Sequence, residues 1–179
     1  MKVPQPLPRK LRIPGDLPEE SQAPPDHIPV NEDGQRLDFS LEPTPKSVRQ
    51  AYRDQYGDGN KPCQWFHIVG FCHKGDVCQH GHTELSPEFL QFLRCTVKRT
   101  PCSRGSRCHR LDCIFGHVCQ SGRCVDEEME NCPLKKFHGV GPVLASWVQG
   151  EVARADVNEV ASRVSSEEAS EAPVQSFWF

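Results

Sequence analysis

A chain of 179 residues with 36% hydrophobic residues and 16 prolines has material for a small core but not a large one. No run approaches the roughly 20 apolar residues of a membrane helix, and Met1–Leu17 carries four prolines without the continuous apolar stretch of a secretory leader. Ten cysteines in such a chain favour bound metal in a reducing, intracellular setting, nucleus or cytoplasm, over a disulfide framework. The net charge of −3 hides an asymmetry: residues 61–138 carry 11 basic and 8 acidic side chains, whereas residues 139–179 carry 2 and 6.

Residues 1–60 hold ten of the prolines and no apolar period, which reads as a mostly disordered Pro-rich region with a basic cluster at Arg9-Lys10-Leu11-Arg12. A short helix is expected over 45–56. Thr44 serves as its cap and Pro45 opens it; Val48, Tyr52 and Tyr56 fall on one face, and Gly57-Asp58-Gly59-Asn60 ends it. Residues 61–85 contain Cys63, Cys72, Cys78 and His82, spaced C-x8-C-x5-C-x3-H. Three thiolates and one imidazole complete a tetrahedral shell for zinc. The C-x3-H gap selects His82 over His80, and His67, His73 and His109 lack ligand spacing.

Ser86-Pro87-Glu88 then opens a connecting helix over 86–97, with Phe89, Leu90, Leu93 and Val97 at helical spacing. Residues 98–118 repeat the ligand types at Cys102, Cys108, Cys113 and His117, now C-x5-C-x4-C-x3-H. Residues 119–140 give a looser third set, Cys119, Cys124, Cys132 and His138, spaced C-x4-C-x7-C-x5-H. The three sets use nine of the ten cysteines. Cys95, on the connecting helix, is left as a small apolar residue, with a redox role or an alternate ligand role as the other readings. In residues 141–179 a helix is expected over 142–164, its stripe of Leu144, Trp147, Val148, Val152 and Val160 open to a protein partner. An acidic tail follows and ends on Phe177-Trp178-Phe179. Four ligands per set leave no open metal position, so the sites read as structural and the chain as no enzyme, without a small-molecule substrate.

The first set resembles the CCCH zinc fingers of the tristetraprolin type, which bind single-stranded RNA, and the second the compact CCCH fingers of poly(A)-binding proteins. Other matching elements are Leu85-Ser86-Pro87-Glu88, Thr100-Pro101-Cys102, Asp112-Cys113-Ile114-Phe115-Gly116-His117 and His138-Gly139, with Asn31-Glu32-Asp33-Gly34-Gln35-Arg36-Leu37-Asp38 upstream. On these, the stretch from Cys63 to Gly139 is similar to the tandem CCCH module of uncharacterised fungal proteins. The resemblance implies a zinc-binding, nucleic-acid-binding module. The expected fold is a small zinc-stabilised irregular and α module, tandem fingers with a short connecting helix, flanked by largely disordered termini.

Between Arg94 and Arg110 lie six basic residues (Arg94, Lys98, Arg99, Arg104, Arg107, Arg110) and no acid, a stripe suited to phosphates. In tristetraprolin-type fingers, stacking aromatics sit two residues after the second and third cysteines. Here those positions hold Lys74 and His80 in the first finger, Arg110 and Phe115 in the second. Phe115 fits stacking, and Arg110 can stack through its guanidinium plane or bind phosphate. The candidate nucleic-acid contacts are therefore Lys74, Lys98, Arg99, Arg104, Arg107, Arg110 and Phe115, while Trp65, Phe66 and Phe71 read as finger core. Binding of single-stranded RNA in post-transcriptional regulation is the leading expectation. A protein-interaction scaffold is the alternative. A DNA-binding transcription regulator ranks below both, since there is no C2H2 recognition helix or basic zipper.

Overall fold

The computed structural model describes residues 16–57, 59–121, 124 and 131–152. The basic cluster at Arg9–Arg12, the part of the expected C-terminal helix beyond residue 152, the acidic tail and the Phe177-Trp178-Phe179 terminus lie outside the described residues.

Helix α1 (Lys46–Tyr56) starts one residue later than Thr44 capping would place it, with Pro45 at the cap position and no side-chain cap bond. Helix α2 (Gln64–Val69) fills the long gap between Cys63 and Cys72. Helix α3 (Pro87–Val97) opens as its residues dictate: the Ser86 hydroxyl accepts from the Phe89 N–H at 3.3 Å, and proline occupies the first turn. Tyr52 of α1 meets Phe92 and Phe89 of α3 at ring distances of 4.7 and 5.5 Å. Tyr52, with Trp65, Ile68, Leu85 and Phe115, packs around buried Leu93, Val97 and Ile114. This core joins α1, the first finger, α3 and the second finger.

Residues 16–43 differ from the disorder expected of them. Leu17, Ile28, Val30, Asn31, Arg36, Leu37 and Asp38 are all buried. The segment has no period of its own because it is buried against distant residues, not against itself. Strand β1 (His27–Val30) leads into a turn in which the Asn31 carboxamide oxygen accepts from the N–H groups of Asp33 and Gln35. The chain returns so that the Leu37 N–H donates to the Pro29 carbonyl at 2.8 Å. Leu17 and Leu37 join Val118, Cys119, Leu134, Phe137 and Val140 in a second core beneath the third ligand set.

The helix expected over 142–164 is also corrected. Residues Ser146–Gln149 form a strand, β2, antiparallel to β1, with His27 opposite Gln149, Ile28 opposite Val148, Pro29 opposite Trp147 and Val30 opposite Ser146. Of the stripe that resembled a helix face, Trp147 and Val148 stand in this two-stranded sheet, with Trp147 6.3 Å from the Phe39 ring, Leu144 packs on the second core, and Val160 lies outside the described residues. The pairing partner is far upstream, so no local pattern announces it, and Gly150 already weakened the helical alternative. The helix expected to meet a protein partner is therefore not formed over Ser146–Gln149. Past β2 the chain reaches the second finger, where the Glu151 N–H donates to the His109 carbonyl and the Leu111 N–H to the Glu151 carbonyl. Among the described residues, no helix is long and apolar enough to cross a membrane.

Candidate metal centres

Three groups of cysteine and histidine come together, and within each the four ligand atoms all lie within 4.8 Å of one another. They are Cys63, Cys72, Cys78 and His82 (site one), Cys102, Cys108, Cys113 and His117 (site two), and Cys119, Cys124, Cys132 and His138 (site three). Cys95 belongs to none; its sulfur faces the Glu42 carbonyl at 3.5 Å and the Thr44 hydroxyl at 3.8 Å.

Sites one and two are built the same way. In site one the Cys63 N–H donates to the Gly81 carbonyl and the Gly81 N–H to the Lys61 carbonyl, pairing Pro62-Cys63 with Gly81-His82. In site two Cys102 and Gly116 repeat this with Thr100. The ligand pairs Cys72–Cys78, Cys102–Cys108 and Cys132–His138 each span five intervening residues, and each holds a single 3-10 turn: Gly75–Val77, Gly105–Arg107 and Lys135–Phe137. In all three, the N–H at the turn's first residue donates to the carbonyl of the preceding cysteine. Gly75 and Gly105 take positive φ of 47° and 69° to start that knuckle. The shared five-residue gap, visible in the spacings, marks the knuckle as the repeating unit.

Gly116 is fixed by close approach. A Cβ there would stand 2.0 Å from the Lys98 carbonyl oxygen, a backbone atom that cannot swing aside. Gly116→Ala is expected to destabilise the second finger by about 3 kcal/mol or more, read as a fall in melting temperature; Gly139→Ala, with nothing within 4 Å, is its neutral control.

The geometry suits a metal with soft ligands. A tetrahedron with metal–sulfur bonds of about 2.3 Å has sulfur–sulfur edges of about 3.8 Å and sulfur–nitrogen edges of about 3.5 Å. Cys102 and Cys113 lie 3.7 Å apart, as do Cys119 and Cys132, and the Cys113 sulfur stands 3.5 Å from His117 Nε2. His82 Nε2 is buried without a hydrogen-bond partner, the condition of a nitrogen aimed at a metal, and the ring stacks on Phe66 at 4.4 Å and 7°.

Local electrostatics differ between the sites. The Lys74 N–H donating to the Cys72 sulfur brings that thiol down to about 7. Burial pushes Cys113 and Cys119 up to about 12, and raises Cys63. Metal binding must displace those protons. Burial also lowers the His117 pKa against the opposing pull of Asp38. Burial by itself would raise Asp38, but Lys98 and His117 hold its carboxyl well below the usual range.

The candidate nucleic-acid contacts separate into two groups. Lys98 donates to Asp38 at 2.8 Å and to the Phe115 carbonyl at 3.1 Å; Arg110 grips Asp112 through two nitrogens. Phe115 meets Trp65 edge-on at 6.3 Å within the first core. Arg94, in the same stripe, pairs with Glu20 at 3.3 Å. Lys74, Arg99, Arg104 and Arg107 are exposed. Arg104 and Arg107 lie on the knuckle of site two, with Glu151 3.8 Å from Arg104. Trp65 packs on the first core and Phe66 is half-buried against the His82 ring, but Phe71 is 55% exposed, a correction to its reading as core. It lies next to Cys72, at the start of a knuckle that extends outward.

Residues 92–142 match the family model described as tandem CCCH zinc finger domains. The match includes every ligand of sites two and three and stops short of site one. No curated protein and no solved structure matches the chain.

Proposed function

We propose that this chain, whose residues 92–142 carry a tandem CCCH zinc finger domain, binds zinc at all three sites and uses the two outward knuckles of sites one and two to bind single-stranded RNA in post-transcriptional regulation, inside the cell, in nucleus or cytoplasm. Four protein ligands per metal make each zinc structural and leave no position for a substrate. The metal's contribution is to fix backbone that has little core of its own.

The observation that carries the RNA reading is an exposed aromatic ring beside one knuckle and exposed cations on two. Phe71, immediately before Cys72, and Lys74, within the Cys72–Cys78 knuckle, are exposed, as are Arg104 and Arg107 in the Cys102–Cys108 knuckle. Unpaired bases stack on such a ring at about 1–3 kcal/mol each, and the cations track phosphate. Lys98, Arg110 and Phe115 support the fingers from inside, so the stripe is thinner than its sequence.

The test is RNA retention by the zinc-loaded full chain from a random single-stranded pool, with single-stranded and duplex DNA as competitors. Phe71→Ala is expected to weaken binding about tenfold. Arg104→Glu with Arg107→Glu is expected to reduce the salt slope by about 1.4, roughly 0.7 per lost phosphate contact. Both variants should keep three zinc ions. Unchanged RNA binding in both would move the assignment to a protein-interaction scaffold, and preference for duplex DNA to a transcription regulator.

A further inference from the structure

We propose that Asp38 is a positioning residue shared by sites two and three, so that these two sites take up and release metal as one unit. The proposal rests on metal binding by the CCCH groups and is independent of RNA recognition.

Asp38 lies 54 residues before the matched segment, and its side chain is 0% exposed. All of its acceptor capacity is used. Oδ1 accepts from His117 Nδ1 at 2.9 Å and from Lys98 Nζ at 2.8 Å; Oδ2 accepts from the N–H groups of His117 at 2.6 Å and Val118 at 3.0 Å. The bond to Nδ1 fixes the tautomer and turns Nε2 toward the Cys113 sulfur. A carboxylate behind a ligating histidine orients the ring and raises its basicity.

The carboxylate also holds the joint between the two sites. One residue, Val118, separates His117, the last ligand of site two, from Cys119, the first of site three. Oδ2 grips the two peptide N–H groups leading into that joint, and Val118 is buried in the core with Cys119, Leu134 and Phe137. Two neighbours add to this: one anchors site two to the same upstream segment as Asp38, and the other ties site three directly to site two. Arg36 donates through Nη1 to the carbonyls of Cys108 and Arg110, and that nitrogen lies 4.0 Å from the Cys108 sulfur. Lys136, on the knuckle of site three, donates to the Cys102 carbonyl of site two at 3.2 Å. Movement of either site therefore strains the other.

The test uses the full chain loaded with cadmium-113, whose resonances report each site separately, and a chelator titration. Wild-type protein is expected to lose the resonances of sites two and three together and that of site one separately. Its His117 ring nitrogens should show Nδ1 protonated and Nε2 on the metal. Asp38→Asn keeps an acceptor oxygen but not the charge; it is expected to weaken sites two and three together about 10–100-fold, shift the His117 ring signals and leave site one unchanged. Independent release of sites two and three in the wild type, metal on His117 Nδ1, or Asp38→Asn affinities within about twofold of wild type would each overturn the proposal. The wild-type measurements stand even if the variant fails to fold. No cadmium resonance from site two in the wild type would overturn the metal assignment itself, and the proposal with it.

Discussion

Cys113→Ala is expected to unfold the body around sites two and three, and not merely to empty one site. A structural zinc contributes on the order of 10 kcal/mol, as much as the whole stability of an ordinary domain at roughly 5–15 kcal/mol. Losing it frees His117 from the metal, and with it the joint at Val118 and the contacts of Asp38. The cooperative transition of the zinc-loaded chain, followed by tryptophan fluorescence and circular dichroism, should disappear or fall by tens of degrees. Cys95→Ala supplies the control. Among the described residues its sulfur meets the Glu42 carbonyl, Thr44 and Gln91 as hydrogen-bonding groups, so the variant should keep three zinc ions and lose about 1 kcal/mol or less. A cooperative melt in Cys113→Ala at the wild-type temperature would mean that the second core holds without its metal.

The second large effect concerns the segment ahead of the fingers. A fragment of residues 92–142 contains every ligand of sites two and three but lacks Leu17, Arg36, Leu37, Asp38 and both strands. It leaves Lys98 without its carboxylate, and removing one partner of such a pair costs about 3–5 kcal/mol when the pair is buried. The Lys98 side chain is 23% exposed, so the lower end applies. Loss of the fully buried Leu37 alone is worth about 2–5 kcal/mol. The fragment should therefore melt without a cooperative transition and bind zinc at site two at least about tenfold more weakly than residues 16–152, as read by chelator competition. Equal affinity and equal cooperativity would show that the upstream segment decorates the fingers without building them.

The three cysteine–histidine groups that the fold brings together were legible in the sequence because their chemistry is local. Each site is defined by residue type and gap, and His82 was separable from His80 by one gap alone. The helices α1 and α3 were legible for a similar reason: Pro45, Ser86 and Pro87 act on the first turn they open. Residues 16–43 were not. Their order comes from single long-range contacts, such as Leu41 to Gln120 and Asn31 to Gly141, and a segment buried one residue at a time carries no period. Strand β2 was misread because four residues with two large apolar side chains fit a helix stripe as well as a strand, and its partner β1 contains a proline. The basic stripe was legible as charge but not as allocation. Lys98 and Arg110 are adjacent in kind to Arg99 and Arg107, yet their partners Asp38 and Asp112 make them part of the support. Asp38 itself stood in a motif that resembled the fungal module, and the role that its burial gives it appears only when the chain is folded.

The most direct test is native mass spectrometry of the zinc-saturated full chain, followed by alkylation of exposed thiols. The expected result is three zinc ions in the folded protein, with half-buried Cys95, outside the three ligand groups, the one cysteine labelled. Saturation at two zinc ions, with Cys119, Cys124 and Cys132 labelled in a chain that remains folded, would contradict it.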